Sequence, residues 1–185
     1  MEDLVDRAKQ LFYQYHGNRF YMNHDGVEQE YDSYHISKET EELWAKEFVS
    51  DFLESGLTGK KTVQAYSIVT DLLKIERDGN VFETCLYYPL RADHLDDVTR
   101  LFMLPLSIKM AEAAAGKKQF SKQEAAAYIH ELESYMKQVM DHVEKESMSR
   151  AEDYVLNEFS DPVYVADYLK EIKEKWERIA CKHSS

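Results

Sequence analysis

The feature that most constrains this chain lies near its C-terminus. Ala125, Tyr128, Ile129, Leu132, Tyr135, Met136, Val139, Met140 and Val143 fall at the i, i+3, i+4 and i+7 positions of one long stretch. That period places them on one stripe of an α-helix, and a strand, whose side chains alternate, cannot present it. Ser121-Lys122-Gln123-Glu124 stands immediately before the stripe and reads as a capping box, in which Ser121 and Glu124 each satisfy a free amide of the first turn. Asp161-Pro162 is a second start signal, cap and first-turn proline in register. It opens a helix with Val165, Tyr168, Leu169, Ile172, Trp176 and Ile179 inward. Ser149 through Glu152 repeats the box for a shorter helix ending near Phe159. Three amphipathic helices with short connections predict an antiparallel bundle.

Upstream the pattern is mixed. Leu4, Val5, Ala8, Leu11, Phe12 and Tyr15 predict a helix over 2–15, stopped by Gly17-Asn18. In 19–31, two β-capable runs flank Asp25-Gly26, a pair that tolerates the positive φ angles of a tight turn, and the reading is a β-hairpin. Ser37 followed by Glu39, Glu41 and Glu42 opens a helix to about Glu54, with Leu43, Trp44, Phe48, Phe52 and Leu53 inward. Residues 60–75 fit a helix stripe through Val63, Tyr66, Val69 and Leu73, yet their β-branched and aromatic content suits a strand. Asp78-Gly79-Asn80, between Leu72–Arg77 and Val81–Tyr88, predicts a second hairpin. From about His94 to Ala115 the chain is apolar on most faces, which predicts a central core helix, kinked or broken near Leu101 because Pro105 supplies no amide donor. The expected fold is α+β and helix-dominated: a C-terminal antiparallel helical bundle packed with two short β-hairpins. No linker or composition break divides it, so residues 1–185 are read as a single compact domain.

Charge narrows the partners. The net charge of −12 is uneven, −9 over residues 1–116 and −3 over 117–185. Between Asp25 and Glu54 ten acids face only Lys38 and Lys46. Nucleic acid and anionic membrane surfaces both call for basic patches, so neither is an expected partner. The acidic N-terminal residues lack the form of a signal peptide, and the densest apolar run, Leu101 to Leu106, is far short of the roughly 20 residues a membrane span needs. Cys85 and Cys181 form no redox or zinc spacing. A cytoplasmic location is the expectation.

Chemical motifs are scarce. Six glycines include no phosphate-binding fingerprint and no nucleophile elbow, and no cofactor is expected. His130 and Glu133, His94 and Asp97, and His142 and Glu146 have the spacing of paired ligands on a helix. His130, however, lies opposite the stripe formed by Ile129, Leu132 and Met136. The denser constellation is around the first turn: Tyr21, His24, Asp25, Tyr31, Tyr34 and His35.

Two classes of function compete on these residues. The leading expectation is a non-catalytic regulatory or interaction protein whose acidic, Tyr-bearing face docks a basic protein partner, as an immunity or antitoxin-like inhibitor does. Its binding residues would be Tyr21, Asp25, Glu28, Glu30, Tyr31, Asp32 and Tyr34, and reversing Glu28, Glu30 and Asp32 to Lys should abolish binding while sparing the fold. The alternative is a metal-assisted hydrolase using His24, Asp25 and His35, with His24 and His35 as ligands. A third reading is a small-molecule sensor with an apolar pocket under the Pro105 helix, lined by Phe102, Met103 and Met110.

Overall fold

The computed structural model describes residues 2–73, 79–116, 120–145, 159 and 161–182. Nine α-helices occupy them: α1 (Glu2–Gln14), α2 (Arg19–His24), α3 (Glu28–Ser33), α4 (Lys38–Glu54), α5 (Gly59–Leu72), α6 (Gly79–Arg91), α7 (Asp97–Gly116), α8 (Lys122–Lys145) and α9 (Pro162–Lys182). No β-strand occurs among the described residues. The α+β expectation is therefore wrong. The first hairpin and the described part of the second, from Gly79 on, form helices instead, and the ambiguous stretch 60–75 is helix as far as Leu72.

The first hairpin fails for a local reason. Asp-Gly supplies a left-handed residue, which a tight hairpin needs and a helix C-terminus needs equally. Here Asp25 closes α2 and Gly26 follows at φ 76°. The Gly26 amide donates to the Asn23 carbonyl at 3.0 Å and the Val27 amide to the Met22 carbonyl at 2.9 Å. These are the paired bonds of a left-handed helix cap, and Asn18 completes α2 at its other end by accepting from the Phe20 amide. In the second, Val81–Tyr88 lies within α6 and Asp78 lies outside the described residues. Cys85, Leu86, Tyr87 and Tyr88 are all buried, and a run covered on all sides has no period to betray its conformation.

Several start signals act as read. Ser121 and Glu124 bond reciprocally, the Ser121 amide to Glu124 Oε2 at 2.6 Å and the Glu124 amide to Ser121 Oγ at 3.2 Å. Ser37 Oγ accepts from the Thr40 amide, and Asp161 Oδ1 from the Val163 amide. The short helix expected from Ser149 lies outside the described residues.

α8 and α9 run antiparallel, because Glu133 meets Lys173 at one level while Tyr128 stacks on Trp176 (centroids 3.9 Å apart) and Phe120 reaches Trp176 at the next. α7 is the central helix, packed against α5, α6 and α9, with Leu101, Met103, Leu104, Ile108 and Met110 buried. α1 lies on α4, where Phe12 meets Trp44 edge-on and Lys9 Nζ reaches Glu47 at 2.5 Å. Leu43, expected inward, faces solvent.

Both interior prolines are compensated. Pro89 in α6 leaves the Cys85 carbonyl without its helical donor, and Pro105 in α7 does the same to Leu101. Tyr66 of α5 donates its hydroxyl to the Cys85 carbonyl at 2.8 Å, and Tyr168 of α9 donates to the Leu101 carbonyl at 2.9 Å. Because the Tyr66 proton is committed there, Ser107 Oγ, 2.9 Å away, is the donor to Tyr66 Oη. Each tyrosine thus ties a neighbouring helix to the point where a proline opens the backbone ladder.

Two histidines, His16 and His35, carry positive φ angles of 52° and 51° where α1 and α3 end. A side chain there meets the following carbonyl, at a cost of about 1–2 kcal/mol, part of which glycine's greater chain entropy would offset. Because His35 is exposed, His35→Gly is expected to raise stability by about 0.5–1 kcal/mol, read as a higher urea midpoint at unchanged slope. A fall in midpoint would mean that the imidazole makes a contact worth more than this strain.

Candidate functional site

Arg19 and Met22 anchor α2, and Phe20 and Tyr21 are what it displays. Met22 is buried in the core. The Arg19 guanidinium bonds Asp32 and, at 3.0 Å, Glu41, and lies 4.3 Å over the Tyr31 ring. Tyr31 itself is 1% exposed and donates to Glu41 Oε1 at 2.8 Å. Burial, followed by the neighbouring Glu41 carboxylate, pushes the Tyr31 hydroxyl well above its ordinary range, so it stays a proton donor. This network fastens α2, α3 and α4 together.

The expected acidic face is thereby divided. Tyr31 is core, and Asp32 is spent on Arg19. Glu30 pairs with Arg7 of α1 at 2.8 Å and accepts from Tyr34 at 3.0 Å, and these bonds, Arg7 first, hold its carboxyl below the usual range. Glu30 and Asp32 therefore join helices of this chain, with Tyr34 bracing Glu30, and reversing the two acids would disturb the fold as well as any partner. Asp25 is exposed; hydrogen bonds from His24 (2.9 Å) and then Tyr15 keep its carboxyl low, and it remains an anion at neutral pH. Glu28 is half-buried and makes no ion pair among the described residues.

Phe20 and Tyr21 are 72% and 55% exposed, their rings 5.6 Å apart at 73°. Phe20 is the most exposed large apolar side chain among the described residues, and sequence reading passed over it by assigning α2 to a half-buried strand. The clue was there in part: helical rotation of about 100° per residue separates Phe20 and Tyr21 from inward Met22.

The metal reading gains no geometry. His24 is engaged with Asp25, while His35 ends α3 and is joined to neither by a hydrogen bond or ion pair among the described residues. No group of three or more His, Cys, Asp or Glu converges there among the described residues. His142 does meet Asp97, at 2.9 Å across 45 positions, in a pairing that spacing could not anticipate. Near Pro105, Met103 and Met110 are core, and Phe102 packs edge-on against Phe159. Burial pushes the Cys85 thiol up to about 12, which leaves it protonated and unreactive at neutral pH.

Comparison with family models, curated proteins and solved structures gives no match. No described helix is long and apolar enough to cross a membrane.

Proposed function

We propose that this chain is a non-catalytic interaction protein that docks a basic protein partner through the exposed face of α2 and the α2–α3 turn. The observation that carries the reading is the Phe20–Tyr21 pair. Two aromatic rings are held out of the core by a helix capped at both ends and anchored through Arg19 and Met22. Exposed aromatic side chains are the residues that dominate binding energy when a partner buries them. Asp25 and Glu28 beside them, within a strongly acidic stretch, favour a basic partner and speed its encounter.

The revised contact set is Phe20, Tyr21, Asp25 and Glu28. Wild type and an Asp25→Lys/Glu28→Lys variant, each immobilised in native lysate and washed with rising salt, provide the test. The expected result is one basic protein held stoichiometrically by the wild type, released by salt and lost from the variant. Equal retention by both would place the docking surface elsewhere.

A further inference from the structure

The chain seats its own arginines in a repeated arrangement: a guanidinium on a tyrosine face, with a carboxylate in reach. Arg19 lies 4.3 Å over Tyr31 and bonds Asp32 and Glu41. Arg91 lies 3.9 Å over Tyr87 and bonds Glu131. The corner formed by Phe20 and Tyr21 has the same ingredients facing solvent. Its rings stand nearly perpendicular, and Asp25 follows Tyr21 by one helical turn, on the same side of α2. None of the cation–ring contacts among the described residues falls on Phe20 or Tyr21.

We infer that this corner seats an arginine side chain of the docking partner, a reading that rests on the proposed docking function and specifies its ligand. Arginine fits better than lysine for two reasons. A planar guanidinium stacks on a ring while its fork of donors still reaches a carboxylate. It is also less strongly hydrated than an ammonium, so less is lost on leaving water. Asp25 already accepts from His24 and from Tyr15, and a carboxylate has about four acceptor sites, so capacity remains for a guanidinium. Phe20 and Tyr21 supply the negative ring faces that attract the cation.

The test uses the full-length protein with ring-labelled Phe and Tyr, titrated with acetyl-Gly-Arg-Gly-amide and its lysine, trimethyllysine and citrulline counterparts. The arginine peptide should shift the Phe20 and Tyr21 ring resonances saturably. Lysine and trimethyllysine should bind several-fold more weakly and the neutral citrulline not at all, and Asp25→Asn should weaken the arginine peptide several-fold. Tightest binding by trimethyllysine, or equal responses to arginine and citrulline, would overturn the assignment. So would shifts spread over the acidic surface without saturation at these rings. The two proposals fail separately. Charge-dependent capture of a basic protein without a specific arginine response removes the arginine seat alone. A specific peptide response with no protein captured removes the docking reading and leaves the seat.

Discussion

Changing Tyr66 to Phe is expected to cost about 2–3 kcal/mol, and at least half of that cost should disappear when Pro89 is also changed to Ala. The hydroxyl of Tyr66 is the donor that the Cys85 carbonyl receives in place of the amide that Pro89 lacks. The site is sealed from water, since Tyr66 and Cys85 are both fully buried. A carbonyl orphaned there loses its hydrogen bond and has no solvent to replace it. Pro89→Ala restores a backbone donor one helical turn away, so the carbonyl no longer depends on Tyr66. Urea unfolding of wild type, both single variants and the double variant measures the coupling. Additivity to within about 0.5 kcal/mol would show that the hydroxyl does not compensate the proline. The equivalent pair, Tyr168→Phe with Pro105→Ala, should couple less, because Tyr168 is only partly buried.

Replacing the half-buried Arg100 by Ala should cost about 3 kcal/mol. Its guanidinium donates to three carbonyls, that of Leu90 in the last turn of α6 (3.0 Å) and those of Ala92 (2.8 Å) and Leu95 (3.1 Å) in the α6–α7 connection. These include the free carbonyls that any helix C-terminus leaves behind, here at the end of α6. One charged group thus closes α6 and fixes the turn into α7, where Asp96 caps the next helix by accepting from the Thr99 amide at 2.8 Å. Charge-assisted bonds are about twice as strong as neutral ones, which makes a three-fold anchor costly to lose. Arg100→Lys should recover less than half of the stability, because an ammonium cannot span three carbonyls held in different directions. A loss below about 1 kcal/mol for the alanine variant, by the same unfolding measurement, would contradict this role.

The sequence reading succeeds where a side chain and its backbone partner are neighbours. The Ser121/Glu124 box, the Ser37 cap and the Asp161-Pro162 start each involve groups within three residues, and each forms. The apolar stripes of α8 and α9 were equally legible, because one face is buried and the other wet. The reading fails where one local signal serves two structures. Gly26 at φ 76° is compatible with a hairpin turn and with a helix end, and nothing local decides between them. α6 is misread because its middle is buried all round, and because Pro89 inside it is supported by Tyr66, twenty-three positions away.

The candidate site shows the same division. Acidic character and an aromatic turn were visible in 19–35, but the roles within them depend on long-range partners. Arg7 claims Glu30 and Arg19 claims Asp32, which converts two apparent docking residues into fasteners. Tyr31 is drawn inward to Glu41. Phe20 is the most exposed large apolar side chain among the described residues because of a helix that the hairpin reading denied.

The most direct test of the docking account is site-specific photocrosslinking in native lysate, with benzoylphenylalanine in place of Phe20. Val163, 69% exposed at the start of α9, provides a matched control. One discrete adduct is expected from position 20, containing a basic protein, weakened by salt and missing from position 163. No adduct at position 20, or the same adduct from both positions, would contradict the docking reading.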